Sequence, residues 1–141
     1  MIALDTNLLV YAHRSSVPQH AAAYRAIGRA ASDPDGWGFS LGSVGEFWSV
    51  VTHPAAPHPS TPQKARAFLE ALVHDAGAQV FTPGPGFAER LAALASRLNV
   101  RGVRIFDLQI GLAAVEAGAT ELWTRDLDFV ACPGLEILHP D

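Results

Sequence analysis

Four acidic residues of this chain lie in settings that an ordinary surface carboxylate rarely has. Asp5, Glu46 and Asp107 each have apolar neighbours on both sides, and Asp126, with Asp128 two residues on, follows directly after an apolar run. An unpaired carboxylate that leaves water loses much of its solvation free energy, so carboxylates in apolar surroundings need a partner. These four acids therefore indicate a shared cationic ligand or a set of local structural roles.

Each acid also has a structural explanation of its own. Asp5 could cap the helix that follows it, as Asp does well. Ser43 and Glu46 fit the capping-box pattern. Asp107 near a helix N-terminus is favoured by the helix dipole, and Asp126 could be a plain turn residue. One shared reason accounts for all four more simply than four separate ones.

A hard divalent cation is the shared reason that the residue types favour. The set offers oxygen atoms only, which suits Mg²⁺ or Mn²⁺ rather than zinc. Cys132 is the only cysteine, which excludes an internal disulfide and a multi-cysteine zinc site. Thr6, Asn7 and Thr124 could hydrogen-bond the carboxylates or their waters. A carboxylate-held Mg²⁺ with several waters is typical of phosphodiester hydrolysis.

The elements around these residues indicate an α/β domain with a mainly parallel sheet, because short apolar runs alternate with helical patterns. The carboxyl ends of parallel strands share one edge, where ligands bind in open sheets. Asp107 begins a buried helix, and the small Gly111 and Ala114 would let that helix approach the sheet closely. The predicted strands span Ile2–Leu4, Trp37–Leu41, Gln79–Phe81, Glu121–Thr124 and Leu135–Leu138.

Length and composition predict one globular domain over residues 1–141, with 49% hydrophobic and 17% charged residues. The net charge of −4 gives no overall attraction for nucleic acid, so contact with nucleic acid would need a local basic patch. No signal peptide and no membrane span is visible. We expect a soluble cytoplasmic protein.

The chain resembles the PIN (PilT N-terminus) domain family, and within it the VapC-type toxins of bacterial toxin–antitoxin pairs. The resemblance covers nearly the whole chain and depends on four features in a fixed order: the opening segment 2–12, Glu46 inside an apolar helix, Asp107 before a small-residue helix, and the segment 124–129. The opening segment reads IALDTNLLVYA and the last reads TRDLDF.

The resemblance implies a Rossmann-like, three-layer α/β/α sandwich around a mainly parallel five-stranded sheet, and a metal-dependent endoribonuclease inhibited by a small antitoxin. It also implies a homodimer. Asp5, Glu46, Asp107 and Asp126 match the acidic quartet of the family. The matching supporting residues are Thr6, Asn7, Thr124 and Asp128.

A local supply of arginines is compatible with an RNA substrate. Arg101 and Arg104 precede Asp107, and Arg125 precedes Asp126, so an acidic protein could still hold RNA phosphates beside its metal. A solvated surface is the alternative for these arginines. We also expect the C-terminal segment of an antitoxin to lie in an apolar groove near Trp48 and Phe68.

Two other functions stay open at the level of sequence. One is a haloacid-dehalogenase-like phosphotransferase with Asp5 as nucleophile, although such sites resemble Asp-x-Asp and Asn7 stands at the third position here. The other is a catalytically inactive PIN-like interaction module. The intact acidic quartet favours the nuclease over both.

Overall fold

A computed structural model of the chain describes residues 1–141, in which five short strands alternate with six α-helices. A 3-10 turn at Gly102–Arg104 leads into the last helix. The strands are β1 (Ile2–Leu4), β2 (Trp37–Ser40), β3 (Gln79–Phe81), β4 (Glu121–Trp123) and β5 (Glu136–Leu138). The helices are α1 (Thr6–His13), α2 (His20–Ala31), α3 (Leu41–Val51), α4 (Pro62–His74), α5 (Phe87–Arg97) and α6 (Ile105–Glu116).

All five strands are parallel and form one sheet in the order β3-β2-β1-β4-β5. The central strand β1 is fully buried, as a continuous apolar run in a parallel sheet should be. One hydrophobic core contains residues of α1 to α4, and a second contains residues of α5 and α6. The predicted three-layer α/β/α architecture is therefore confirmed, and the sheet is parallel throughout.

Two helices begin directly where a strand ends, and each begins with a polar cap. Asp5 ends β1 and caps α1, accepting a hydrogen bond from the backbone N–H of Thr6. Ser40 ends β2 and caps α3, accepting one from the N–H of Ser43. The capping box of Ser43 and Glu46, the structural alternative for Glu46, is therefore not formed: Ser40 is the cap, and Glu46 lies in the second turn of α3.

Helix α6 is largely buried, as predicted, and the chain leaves it through Gly118, whose φ of +98° suits glycine. Its Gly111 was expected to face the sheet, but it faces Cys132 and Leu135 in the segment before β5. A Cβ at this position would lie 2.9 Å from the Cβ of Cys132 and 3.7 Å from Leu135. The small side chain thus allows the helix to approach the segment that enters β5, while the buried Ala114 lies one turn further along the helix.

The large aromatic side chains of the α1–α4 side belong to its hydrophobic core or pack against it. Trp37 is buried, Phe68 stacks on Phe47 with ring centroids 5.4 Å apart, and Trp48 packs against the same core. Trp48 and Phe68 both pack against this core and keep part of their surface exposed. The expected antitoxin groove near these two residues stays a prediction. No helix is long and apolar enough to cross a membrane.

Candidate active site

Asp5 is the buried centre of the site, with only 7% of its surface exposed. Its Oδ1 accepts the Thr6 N–H at 2.7 Å, and its Oδ2 accepts the Thr124 hydroxyl at 2.7 Å and the Asn7 amide at 3.3 Å. Burial raises the pKa of Asp5 from 3.8 to about 6 against these hydrogen bonds, and the charges of Glu46 and Asp107 raise it further. Asp5 therefore caps α1 and also feels the negative charges of two other carboxylates, Glu46 and Asp107.

Thr124 connects three of the predicted residues through one hydroxyl group. The side chain is fully buried, and its hydroxyl donates to Asp5 while it accepts from the Asn7 amide at 3.2 Å and from the Asp126 N–H at 3.0 Å. The Asn7 carbonyl in turn accepts the Arg125 N–H at 3.3 Å. These bonds join the end of β4 to the end of β1, which fixes Asp126 relative to Asp5.

Glu46 approaches the site from the second turn of α3, on its exposed side. Partial burial of its carboxyl group raises its pKa, and the charge of Asp107 adds to that rise, while Thr6 opposes it. A chain of hydroxyls fixes the start of α3: Thr6 donates to Ser43 at 2.9 Å, and Ser43 lies 3.2 Å from Ser40.

Ser40 and Ser43 were missed as positioning residues in the sequence analysis. The available signal was a serine at the end of a strand and directly before an apolar helical run, which is a typical N-cap pattern.

Asp107 lies in the first turn of α6 and is anchored on one side only. Its Oδ2 accepts the Val130 N–H at 3.2 Å and the Arg104 guanidinium at 3.3 Å. Both bonds fall on Oδ2, so Oδ1 keeps its lone pairs for another partner. The Val130 bond ties α6 to the segment that follows β4, which brings the third carboxylate to the same edge as the first two.

Arg104 lies between two of the predicted acids. Its Nη1 is 3.3 Å from the Asp107 carboxylate and 3.5 Å from the Asp126 carboxylate, and it donates to the main-chain carbonyl of Asp128 at 3.0 Å. Asp126 also accepts the Asp128 N–H at 2.9 Å, so its turn role and its place beside Asp107 coexist. Of the predicted basic residues, Arg104 is the one that contacts the acids.

The other two predicted arginines are exposed and make no ion pair with the quartet. Arg101 donates to the side chain of Asn99 at 3.3 Å, and the side chain of Arg125 lies in solvent at the end of β4. The Asp128 carboxylate is exposed as well. These three side chains therefore surround the site rather than form its centre.

The donor chemistry of the quartet fits a hard cation. All four side chains offer oxygen, and Asp5, Glu46 and Asp107 act on one another electrostatically, which a cation would relieve. No three His, Cys, Asp or Glu side chains form a ready-made metal site in their present positions. The side chains of the quartet would have to change position to bind an ion together.

A hollow of ≈ 380 Å³ lies beside the acids, between the start of α3 and α6. Glu46 forms part of its wall, together with the exposed Phe106 and Leu41 and the polar Gln109. The exposure of Phe106 beside the site was not predicted from the sequence. The polar Gln109, three residues later in an otherwise apolar helix, indicated that this face of α6 is partly in contact with solvent. A second hollow lies between α1 and α3 and includes Thr6, Tyr11 and Val50.

Comparison with known families decides the affiliation. Residues 2–135 match the family model described as PIN domain. The chain belongs to the PIN domain family. Among its relatives are VapC ribonuclease Mb2897 of Mycobacterium bovis and ribonuclease VapC43 of Mycobacterium tuberculosis. Each is 31% identical to this PIN domain protein over 141 residues, covering 99% of this chain and 95% of the relative.

Solved structures share the fold of this PIN domain protein. Mycobacterium tuberculosis VapC20, described as a sarcin–ricin loop cleaving toxin, superposes with a TM-score of 0.69 at 19% identity, over 92% of both chains. VapBC2 of Rickettsia felis, bound to a DNA fragment from its promoter, gives a TM-score of 0.71 at 19% identity over 100% of both chains. FitAcB of Neisseria gonorrhoeae gives 0.62 at 15% identity, over 99% of this chain and 97% of that one.

Proposed function

We propose that this PIN domain protein is a Mg²⁺- or Mn²⁺-dependent endoribonuclease and the toxin of a toxin–antitoxin pair. The observation that carries the proposal is the mutual field of Asp5, Glu46 and Asp107 at the carboxyl edge of a parallel sheet. The ribonuclease names of relatives 31% identical over nearly the whole chain support the reaction class.

The protein's own residues would hold and orient the catalytic groups. Asp5, Glu46, Asp107 and Asp126 would bind the metal, which when bound supplies charge neutralisation of the phosphate and an activated water. Thr124 and the Thr6 N–H keep the Asp5 carboxylate in a single orientation. Burial of Asp5 lowers the local dielectric and strengthens its attraction for a cation.

The RNA would approach along the exposed rim of this site. Arg101 and Arg125 are exposed and could pair with phosphates on either side of the cleaved bond. Arg104 could join them once its bonds to Asp107 and Asp126 are released. An exposed aromatic ring such as that of Phe106 offers a surface on which a base can stack.

The partner proposed here is a small antitoxin protein, and we also propose that the toxin is a homodimer. The structural neighbours from Rickettsia felis and Neisseria gonorrhoeae bear the names of two-component assemblies, VapBC2 and FitAcB, which supports a protein partner. The hollow between α1 and α3 is the groove that suits an antitoxin segment, because Val50 and Tyr11 line it and it reaches Thr6 and Glu46.

A phosphotransferase with Asp5 as nucleophile fits the site less well. Lys64 is the only lysine of the chain, and it lies in the first turn of α4 near His13, not beside Asp5. The site therefore lacks the lysine that the alternative would use to stabilise a phosphorylated aspartate. Asp5 is also held on both oxygens by three donors, which reduces its power as a nucleophile.

The test is cleavage of a mixed panel of structured RNAs by the purified protein, with Mg²⁺, with Mn²⁺ and with EDTA. We expect discrete cuts that need metal, and their loss in Asp5→Asn. The matched control is Asp35→Asn, which removes an exposed carboxylate from a turn. Hydrolysis of a phosphomonoester without RNA cleavage would favour the phosphotransferase, and neither activity would favour the interaction module.

A further inference from the structure

Arg104 makes a contact pattern that no other basic residue of the chain makes. Its guanidinium lies within 3.5 Å of two carboxylates from separate elements, Asp107 on α6 and Asp126 after β4. The remaining ion pairs, Arg66–Glu70 and Arg90–Glu116, join one arginine to one acid. The position between Asp107 and Asp126 is therefore occupied by a positive charge that belongs to the chain itself.

This arrangement removes a repulsion that the sequence predicts. Two carboxylates that converge without a cation destabilise each other by like-charge repulsion. Asp107 and Asp126 have Arg104 between them. The acidic quartet is thus divided into an unneutralised half, Asp5 and Glu46, and a half that carries its own counter-ion.

The position of Arg104 also allows its guanidinium to move away from Asp107 and Asp126. Its side chain is 44% exposed, and its contacts of 3.3 and 3.5 Å are long for charge-assisted hydrogen bonds, which are typically about 2.7–2.9 Å. It stands at the end of a one-turn 3-10 helix rather than inside a long helix. The guanidinium can swing into solvent without disturbing a packed core.

We propose that Arg104 is a built-in counter-ion that competes with a divalent cation for Asp107 and Asp126. The proposal deepens the proposed function and rests on its metal dependence. Binding of the cation displaces the guanidinium, and the displaced guanidinium becomes free for an RNA phosphate at the same edge. Metal binding and exposure of a phosphate-binding group are then one linked equilibrium, in which each favours the other.

The test measures cation binding directly, by titration calorimetry with Mn²⁺ and Mg²⁺ at physiological salt in the absence of RNA. Arg104→Gln keeps a polar side chain and removes the charge, so we expect it to bind the cation roughly tenfold more tightly than the native protein, within the usual range for linked sites. With EDTA the same variant should melt at a lower temperature than the native protein, because Asp107 and Asp126 then lose their counter-ion.

Two control variants distinguish the effect of the Arg104 ion pairs from the effect of the overall charge of the protein. Arg101→Gln removes the same charge three residues earlier from a side chain that contacts Asn99 only, so its cation affinity should stay close to native. Arg104→Lys keeps the charge without the planar fork and should bind the cation with an affinity between those of native and Arg104→Gln. An equal gain in Arg101→Gln and Arg104→Gln would mean that a general field acts, and would overturn the proposal.

The remaining outcomes also decide. Unchanged or weaker cation binding by Arg104→Gln overturns the role of Arg104 and leaves the proposed nuclease intact. Binding by Arg104→Gln alone, with none by the native protein, supports competition in its strongest form. Binding by neither protein overturns the proposed metal dependence and the inference with it. Circular dichroism of each variant checks that the fold is retained.

Discussion

Asp5 combines a local structural role with a place in the acidic site. It caps α1 as a residue at the end of a strand can, and the same carboxylate is surrounded by the charges of Glu46 and Asp107. The two explanations that the sequence offers for this residue are therefore compatible. A cap that was only a cap could face solvent, whereas this one is buried, and its burial together with the charges of Glu46 and Asp107 raises its pKa.

The raised pKa of Asp5 predicts how stability changes with pH. The pKa is about 6 in the folded protein against an ordinary value of 3.8, so the unfolded chain releases this proton at lower pH. Ionisation then favours unfolding as the pH rises from about 4 through 6, by a total of about 3 kcal/mol. The metal-free protein should lose this stability in denaturant titrations with EDTA between about pH 4 and 7.

Asp5→Asn should remove most of that slope, and Asp35→Asn should keep it. His13 contributes in the opposite sense, because burial lowers its pKa and its protonation below about pH 6.5 destabilises the fold. The difference between native and Asp5→Asn isolates the carboxylate from this background. An identical slope in both proteins would contradict a raised pKa at Asp5.

Thr124→Val tests the hydroxyl that joins the two strand ends. The change keeps the shape but removes the donor to Asp5 and the acceptor for the Asn7 amide and the Asp126 N–H. We expect a loss of about 1–3 kcal/mol in the free energy of unfolding, because buried polar groups are left unpaired. The acid limb of the pH–rate profile for RNA cleavage should also move to higher pH, since Thr124 holds the pKa of Asp5 down.

The matched control for Thr124→Val is Thr120→Val, a change of the same kind at an exposed position before β4. It should leave both the stability and the pH–rate profile near native. If Thr124→Val lowers stability but leaves the profile in place, the hydroxyl serves the fold and has no part in tuning Asp5.

The side chains that could not be predicted are those whose position depends on several segments at once. The end of β1 and the small-residue helix identified Asp5 and Asp107 from local pattern. The ion pairs of Arg104 depend on how α6 packs, on the turn after β4 and on the rotamer of its side chain. No periodic pattern in the sequence predicts these three features together. Asp107→Asn would remove a charge that raises the pKa of Asp5 and of Glu46, but it would also weaken the bonds from Arg104 and Val130.

At the scale of elements, the start of α3 shows how a small error in a boundary changes a residue's role. The predicted strand runs to Leu41, and in the capping-box alternative Ser43 would cap the next helix while Glu46 folds back on its start. Ser40 caps the helix instead, because its hydroxyl can accept the Ser43 N–H directly at the strand end. Glu46 therefore lies in the second turn of α3 and has no capping role. Its side chain can instead face the other acids.

The contact of α6 with the entry to β5 gives a prediction at the same scale. Gly111→Ala would place a Cβ 2.9 Å from the Cβ of Cys132, closer than real contacts of this kind. The overpacking should cost about 1–3 kcal/mol in the free energy of unfolding, less the roughly 1 kcal/mol that Ala gains over Gly in a helix. Thermal melts should show a lower Tm than native.

Two companion variants identify the clash behind the Gly111→Ala prediction. Cys132→Ala added to Gly111→Ala should not restore stability, because it keeps the Cβ that is in the way. Gly45→Ala is the helix control, since a Cβ there meets nothing within 4 Å and should stabilise α3 slightly. A Gly111→Ala protein more stable than native would show that helix propensity outweighs the close approach.

For the whole molecule, the net charge of −4 means that the RNA affinity of the proposed nuclease would depend on a few local arginines. In the Asp5→Asn background, in which we expect no cleavage, Arg101→Ala and Arg125→Ala should each weaken binding of a single-stranded RNA. Each should also reduce the slope of log affinity against log salt by about 0.7, since each lost phosphate contact removes one counterion release. Filter binding at several salt concentrations measures both effects.

Arg66→Ala is the control for these variants, because Arg66 pairs with Glu70 on the surface of α4. It should leave the salt slope unchanged. If Arg101→Ala and Arg125→Ala behave like Arg66→Ala, these arginines belong to the solvated surface and RNA is held elsewhere.

Because β1 pairs with β4, the acidic site can form only late in the synthesis and folding of the chain. This strand pairing joins residues 2–4 to residues 121–123, and it brings Asp5 to Thr124 across nearly the whole chain. Contacts this distant in sequence form slowly, after local helices are in place. A nascent chain that has reached residue 120 has Asp5 and Glu46 but neither Thr124 nor Asp126. The acidic quartet of the proposed nuclease can therefore assemble only after the C-terminal part of the chain, with Thr124 and Asp126, has been synthesised.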